Sequence, residues 1–356
     1  MTGAATENTG ATECRWGGQS ASESIIGPKI DARSVRGIVC QNNLEDYPFT
    51  PGQTPQEYSA TIKQWLPQAR ILVDKLPQET AQGVSAGVYA VLNDFPDLAH
   101  NLEGLGTIKA IQGEINKKSK AMAQDASILA QDEEFRRRAE PQLQTLNAII
   151  DIGKLSYDGE DKRRAETSFR GRMKTLHATY KPQQFEEYWA KSTPEEKSAY
   201  LRKISTDAFL ENAAKAALSQ GLTRNAQNLY ASASPKQGVM LSKWFDTPSD
   251  FEKAYARDVK SGYHPAGTAG HAAKAVSVHE MGHQIDYFVG AHRSADIQRL
   301  FSRNVKTELS EYGATNTKEM IAESFAEVYV SPTPRQLSKD VVAVVRKMYA
   351  DKVETL

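Results

Sequence analysis

Cysteine is scarce in this chain, and long hydrophobic runs are missing from it. The 2 cysteines, Cys14 and Cys40, are too few for a disulfide framework, and we interpret them as two unrelated thiols. No segment approaches the roughly 20 consecutive apolar residues that a membrane-spanning helix needs. Residues 1–24 have neither the basic n-region nor the apolar h-region of a secretory signal peptide. The sequence therefore predicts neither a disulfide-stapled secreted domain nor a membrane-spanning protein.

An excess of charge of either sign is also missing. Lys and Arg together number 44, as do Asp and Glu, so the formal net charge is zero. A strong positive charge is the usual electrostatic basis of nucleic-acid binding, so we do not expect nucleic acid as a partner. A chain of 356 residues is long enough to bury a sizeable core, in two domains or in one domain with appendages.

Three regions are predicted along the chain. Residues 1–54 are rich in small polar residues and proline, which predicts an extended or disordered segment. Residues 55–223 show mostly helical periodicity, which predicts a helical domain of unknown role. A polar stretch from Arg224 to Gly238 then opens a second domain, residues 224–356, in which Val239–Leu241 begins a short strand. The expected fold class is mainly α, or α+β with a small sheet in the C-terminal domain.

The pentapeptide His279-Glu280-Met281-Gly282-His283 matches the pattern H-E-x-x-H. Residues four apart lie on the same face of a helix, one turn apart, so two imidazoles at this spacing can bind one Zn²⁺. Glu280 follows the first ligand and can act as general base for a metal-activated water without binding the metal itself. An exposed helix with two surface histidines is the alternative. The apolar residues around the motif argue against it, since buried histidines need partners.

A peptidase zinc ion takes three protein ligands and keeps a fourth position for water. Residues 317–330 predict a helix that carries Glu319, Glu323 and Glu327, one on each successive turn. A solvated acidic face is the usual reason for such spacing. Here the intervening residues are mostly apolar, and acids on a buried helix need partners. A zinc site would supply such a partner.

Two segments carry a resemblance to a known family. They are His279–Asp286, which reads HEMGHQID, and Tyr312–Glu327, which reads YGATNTKEMIAESFAE. With them, the chain from about Gly262 to Pro332 resembles the catalytic domain of anthrax lethal factor and the related Pro-Pro endopeptidases. The resemblance implies that residues 224–356 form a zincin-like metallopeptidase domain with Zn²⁺ as its cofactor.

The resemblance also implies a role for each matched residue. Glu319 is implied as the third zinc ligand beside His279 and His283. Glu323 is implied to support a ligand histidine, in line with the rule that a ligand imidazole donates its other N–H to a carboxylate. Tyr312 is implied as the donor that stabilises the oxyanion or the leaving group. The segments that would select a substrate are not matched, so no cleavage preference follows.

Several residues near the motif are further candidates. His264 and His271 precede the motif helix. Either could line the cleft, but a histidine in a loop is more often solvated, and we expect both to be solvated loop residues. Asp286 lies three residues past the second motif histidine, where it could serve as an alternative ligand or as an acceptor from a ligand; we predict the second. His292 and Arg293 are predicted to interact with the C-terminal end of the motif helix.

Residues 261–268 have a weaker similarity to segments of phage minor head proteins. The leading hypothesis is a zinc-dependent metalloendopeptidase that hydrolyses a protein or peptide substrate. The alternative is a phage virion or effector structural protein with a zinc-stabilised, non-proteolytic fold, in which the helical domain would serve assembly. Without a signal peptide or membrane span, the chain is expected to be cytoplasmic, virion-associated or delivered by a non-Sec route.

Overall fold

Helices surround a small sheet in the computed structural model of this protein, which describes residues 47–124, 141, 144, 159–175, 178–223 and 229–355. The α-helices are α1 Pro55–Trp65, α2 Gln78–Asp94, α3 Ile108–Gln124, α4 Gly159–Thr175, α5 Pro182–Lys191, α6 Pro194–Leu218, α7 Pro248–Lys260, α8 Ala272–Val289, α9 Ala295–Phe301, α10 Val305–Glu308, α11 Thr317–Val330 and α12 Gln336–Val353. The strands are β1 Arg70–Leu72, β2 Gly104–Thr107, β3 Ala231–Ser234 and β4 Gly238–Leu241. The predicted fold class, mainly helical with a small sheet, is confirmed. The predictions for Cys14, Cys40 and most of residues 1–54 lie outside the described residues.

The four strands form one mixed sheet in the order β1-β2-β4-β3. Strands β1, β2 and β4 are parallel, with Ile71 opposite Leu105 and Leu105 opposite Val239. Strand β3 pairs antiparallel with β4, as a tight hairpin allows, and it is the edge strand on that side among the described residues. The strand predicted at residues 239–241 is confirmed as part of β4.

The sheet joins residues from both sides of the domain boundary predicted near residue 223. Strands β1 and β2 come before that boundary, and β3 and β4 come after it. The hydrophobic core crosses it as well, since the ring centroids of Phe95 and Phe325 lie 5.5 Å apart. The structure therefore corrects the prediction of a helical domain spanning residues 55–223. Helices α3 to α6 instead form an insertion between β2 and β3. The sheet was not predicted, because short strands that pair across long sequence separations leave no local signal in the sequence.

The inserted helices have a small core of their own. Ala165, Phe185, Trp189 and Leu201 are buried together where α4, α5 and α6 meet. Helix α6 begins at Pro194, because Thr193 accepts a hydrogen bond from the Glu196 N–H and the Glu196 side chain accepts one from the Thr193 N–H. Among the described helices, none is both long and apolar enough to cross a bilayer.

Helices α8 and α11 cross at the centre of the larger core. Helix α8 ends at Gly290, whose φ of 73° is the left-handed conformation that often terminates a helix. Helix α11 has the bounds predicted for it, residues 317–330. Two short helices, α9 and α10, lie between α8 and α11, with Ser302–Asn304 between them.

Gly282 lets these two helices approach closely. A Cβ atom built on Gly282 would lie 3.0 Å from Ala322 Cα and 3.2 Å from Phe325 Cβ, tighter than almost all real contacts of this kind. Since α11 carries the predicted third ligand, the absence of a side chain at this position sets the distance between the ligand-bearing faces of α8 and α11.

Replacing Gly282 by leucine is expected to destabilise the fold by about 1–3 kcal/mol, the usual cost of overpacking a core. Thermal and urea unfolding of the metal-free protein measure this effect. Gly113→Leu is the matched control, because a Cβ on Gly113 of helix α3 would meet no described atom within 4 Å, and the substitution gains helix propensity. Equal stability of the two variants would contradict the close packing at Gly282.

Candidate metal centre

The two motif histidines lie side by side on α8, buried within the core. Their side chains are 9% and 11% exposed for His279 and His283, so each is nearly shut off from bulk water. Their ring centroids lie 4.9 Å apart, with the rings almost perpendicular. Burial of two imidazoles costs free energy unless their nitrogens find partners. The prediction that both project from one face of a helix agrees with this geometry.

Glu319 closes a triangle with these two rings. Its Oε2 lies 3.3 Å from His279 Nε2 and 3.3 Å from His283 Nε2. The three ligand atoms all lie within 4.8 Å of one another, a group able to hold a metal ion. A tetrahedral zinc ion with bonds of about 2.0–2.1 Å separates its ligand atoms by roughly 3.3–3.4 Å. The spacing of the three side chains therefore fits a single ion of that size.

The local structure of α11 aims Glu319 at the histidines. Asn316 caps the helix and accepts hydrogen bonds from the Lys318 N–H at 3.0 Å and the Glu319 N–H at 3.1 Å. This places Glu319 in the first turn, with its carboxylate turned toward α8. Among the described residues, the buried Glu319 Oε2 has no hydrogen-bond donor. Burial alone would raise the pKa of Glu319, but the imidazoles of His279 and His283 that face it lower the pKa below its ordinary value.

Glu323 contacts His279 through Nδ1, the ring nitrogen that does not face Glu319. Its Oε1 lies 2.8 Å from His279 Nδ1, and its Oε2 accepts from Ser310 Oγ at 2.9 Å. Burial would raise the pKa of Glu323, but hydrogen bonds from His264 and His279 lower it to about 2. An ionised carboxylate can only accept, so His279 donates from Nδ1, and Nε2 is the ring nitrogen that faces the ligand triangle. This is the contact that the sequence predicted for Glu323.

Glu280 lies beside the triangle and is not part of it. It is 4% exposed, and its Oε2 is buried with no hydrogen-bond partner among the described residues. Burial raises the pKa of Glu280 above its usual value, although His279 and His283 act in the opposite direction. A carboxylate with one free oxygen and an elevated pKa is suited to accept a proton.

Tyr312 packs against one face of the His279 ring. The two rings stack with centroids 5.7 Å apart and an angle of 14° between their planes. Burial raises the pKa of the Tyr312 phenol, and Glu319 and Glu280 raise it further, so the phenol stays protonated as a hydrogen-bond donor. The structure thus brings together all five residues predicted for the centre, which are His279, Glu280, His283, Tyr312 and Glu319.

A cavity of about 310 Å³ opens at this group. His279, Glu280 and Tyr312 line it, together with the aromatic side chains of Tyr230 and Trp244. A larger cavity of about 700 Å³ lies where β2 and β4 end, but none of the residues of the ligand triangle lines it. Of these two cavities among the described residues, the smaller one reaches the metal group, through His279.

His264 is the residue that sequence reasoning missed. We expected a solvated loop side chain, but His264 is 7% exposed, and its Nδ1 lies 3.2 Å from both carboxylate oxygens of Glu323. No local pattern marks it, because its burial depends on α11 and on the aromatic ring of Tyr255. The available signals were its place in the turn Tyr263–Gly267 that precedes the motif helix and in the segment 261–268.

Asp286 does not support the ligands as predicted. It is wholly buried, but its Oδ1 accepts from the His292 N–H at 2.8 Å and its Oδ2 lies 2.8 Å from His292 Nδ1. Asp286 therefore ties the end of α8 to the turn that follows Gly290, and the predicted interaction of His292 with this helix end is found there.

Comparisons with protein-family models, with curated proteins and with solved structures gave no match. The resemblance to lethal factor and the Pro-Pro endopeptidases therefore stays a prediction from the two sequence segments.

Proposed function

We propose that this protein is a zinc-dependent metalloendopeptidase. The observation that carries the proposal is the convergence of His279 Nε2 and His283 Nε2 on one oxygen of Glu319, each at 3.3 Å, with the free carboxylate of Glu280 beside them. Two imidazoles and one carboxylate are the donor set of catalytic zinc sites that keep a fourth position open. A purely structural site needs neither an unpaired carboxylate nor a cavity next to it.

The residues around the triangle suit peptide hydrolysis. Zinc bound there would supply an activated water at neutral pH and would polarise the scissile carbonyl. Glu280 would take the proton from that water and later return it to the leaving amine. Tyr312, kept protonated by burial, would donate to the oxygen of the carbonyl as negative charge develops on it.

The edge strand supports a peptide as the substrate. Strand β3 lies next to α8, since the Tyr287 hydroxyl donates to the Ala233 carbonyl and Gln284 Nε2 donates to the Ser234 carbonyl, both at 3.3 Å. Ala231 of the same strand lines the cavity at the metal group. An extended peptide can add to a strand edge through main-chain hydrogen bonds, which would lay its backbone across the site.

Zinc content and peptide cleavage test the proposal together. The full-length protein from zinc-replete expression is expected to hold about one equivalent of zinc by elemental mass spectrometry. It should cleave members of an unbiased peptide library, lose this activity when a chelator removes the metal, and regain it with one equivalent of zinc.

The two other outcomes are informative. Protein without zinc, which also takes none up on titration, would refute the metal site and the peptidase with it. One equivalent of zinc without cleavage of any library member would favour the alternative, a zinc-stabilised structural protein of a virion or effector, in which the metal contributes folding energy alone.

A further inference from the structure

We propose that His264 is a positioning residue of the metal centre, which holds the Glu323 carboxylate that in turn orients His279. The inference rests on the metal site of the proposed function and is independent of the peptidase activity. It concerns a residue outside the motif helix and outside the segment 312–327 that carries Glu319 and Glu323.

The Glu323 carboxylate is the point where three side chains meet. Glu323 is 1% exposed. Its Oε1 accepts a hydrogen bond from His279 Nδ1 at 2.8 Å, and its Oε2 accepts one from Ser310 Oγ at 2.9 Å. His264 Nδ1 lies 3.2 Å from each oxygen. A donor placed equally near both oxygens opposes rotation of the carboxylate about its Cγ–Cδ bond. His264 thereby fixes the direction in which Oε1 faces His279.

Loss of this donor would be costly at such a buried site. A buried charged acceptor that loses a hydrogen bond loses part of the stabilisation that compensates for its burial. The carboxylate could recover part of this by turning toward Ser310 or toward water, and either motion moves Oε1 away from His279 Nδ1. A ligand imidazole without its fixed acceptor loses both its tautomer and its orientation.

His264 is itself firmly held. Its ring stacks on Tyr255 with centroids 5.0 Å apart and planes at 24°. Tyr255 is buried, and its hydroxyl is 3.1 Å from Thr268 Oγ1. The backbone N–H of His264 donates to the Asp258 carbonyl at 3.4 Å. These contacts place the ring before any metal binds, which is the requirement for a residue that positions another.

The loop of residues 262–264, which carries His264, also contacts Tyr312. The Tyr263 carbonyl accepts from the Tyr312 N–H at 3.0 Å, and the Gly262 carbonyl accepts from the Glu311 N–H at 2.9 Å. The rings of Tyr263 and Tyr312 stack with centroids 5.3 Å apart. This loop therefore carries His264, which contacts Glu323, and also positions Tyr312, which stacks on His279.

The test compares zinc affinities of full-length variants by competition with a chromophoric chelator. His264→Phe keeps a planar ring for the contact with Tyr255 but removes the donor, and it should raise the zinc Kd about 10- to 100-fold, the usual effect of losing an outer partner of a ligand histidine. His264→Gln restores an N–H donor and should stay within about threefold of the wild type. His271→Phe is the control, because His271 is exposed and its side chain makes no cap hydrogen bond to α8.

A spectroscopic signature separates positioning from a general loss of stability. In ¹⁵N-histidine-labelled wild-type protein, the His279 Nδ1 proton should be protected from exchange by Glu323, and the Phe variant should lose this signal while the Gln variant keeps it. Should His264→Phe not fold, His264→Met replaces it, because the flexible methionine fills irregular space without an N–H donor.

The outcomes are distinct. Wild-type protein that binds no zinc refutes the proposed metal site. Wild-type protein that binds zinc, together with a donor-free variant of the same Kd and a retained His279 Nδ1 signal, refutes the role of His264 alone.

Discussion

Replacing Glu280 by glutamine is expected to lower kcat for peptide cleavage by about 10²- to 10⁴-fold, while one equivalent of zinc stays bound. Glutamine has nearly the same shape as glutamate, but its amide cannot accept a proton at neutral pH. Because Glu280 lies outside the ligand triangle, the three donor atoms of the metal group are unchanged by the substitution. The loss should therefore appear in kcat and leave the metal content as it is.

The surroundings of Glu280 explain why so large an effect is expected from one atom. Its Oε2 is buried without a hydrogen-bond partner among the described residues, and burial raises its pKa. The carboxylate is thus held ready beside the metal group with one oxygen free. Among the acids that line the cavity, Glu323 is already occupied by His264, His279 and Ser310 and cannot replace it.

Glu311→Gln is the matched control for this substitution. Glu311 is adjacent to Tyr312 in sequence, but its side chain is 53% exposed and pairs with Lys306 at 3.3 Å on the surface. Removal of its charge should change kcat less than about threefold, since exposed ion pairs contribute little. A Glu280→Gln enzyme that retains zinc and cleaves at the rate of this control would show that another group accepts the proton.

Local patterns predicted the parts of the site that depend on helices. The spacing of His279 and His283 on one helix face follows from the helical repeat. The bounds of α11 were also predicted, because residues 317–330 follow a helical pattern that is largely apolar. These features depend on a few neighbouring residues each.

Contacts between distant segments were not predictable in this way. His264 lies 59 residues before Glu323, and nothing near it in sequence marks the contact. Strands β1, β2 and β4 have only three or four residues each, and β2 pairs with β4 across a long sequence separation. The sequence shows no sign of this pairing, so the domain boundary was placed wrongly near residue 223. Asp286 has a spacing compatible with the ligand face, but the turn after Gly290 brings the His292 N–H to its carboxylate first.

Removal of the third ligand is expected to have the largest effect on the metal itself. Glu319→Gln keeps the volume of the side chain but replaces a charged donor with a neutral amide, and the zinc Kd should rise more than about 100-fold, beyond the range typical of outer partners. The carboxylate is the only negative charge in the triangle, and its Oε2 is the one atom that faces both imidazoles at 3.3 Å. Without it, two imidazoles alone must hold the ion.

Zinc-dependent stability measures this loss independently of catalysis. At a free zinc concentration about 100 times the wild-type Kd, binding stabilises the folded wild-type protein by about 2.7 kcal/mol, and a variant that binds about 100-fold more weakly loses most of that gain. The thermal midpoint should therefore rise on addition of zinc in the wild type and in Glu311→Gln, and rise little in Glu319→Gln. An equal rise in all three would mean that the ion binds elsewhere, and the convergence of His279, His283 and Glu319 would then need an explanation other than zinc.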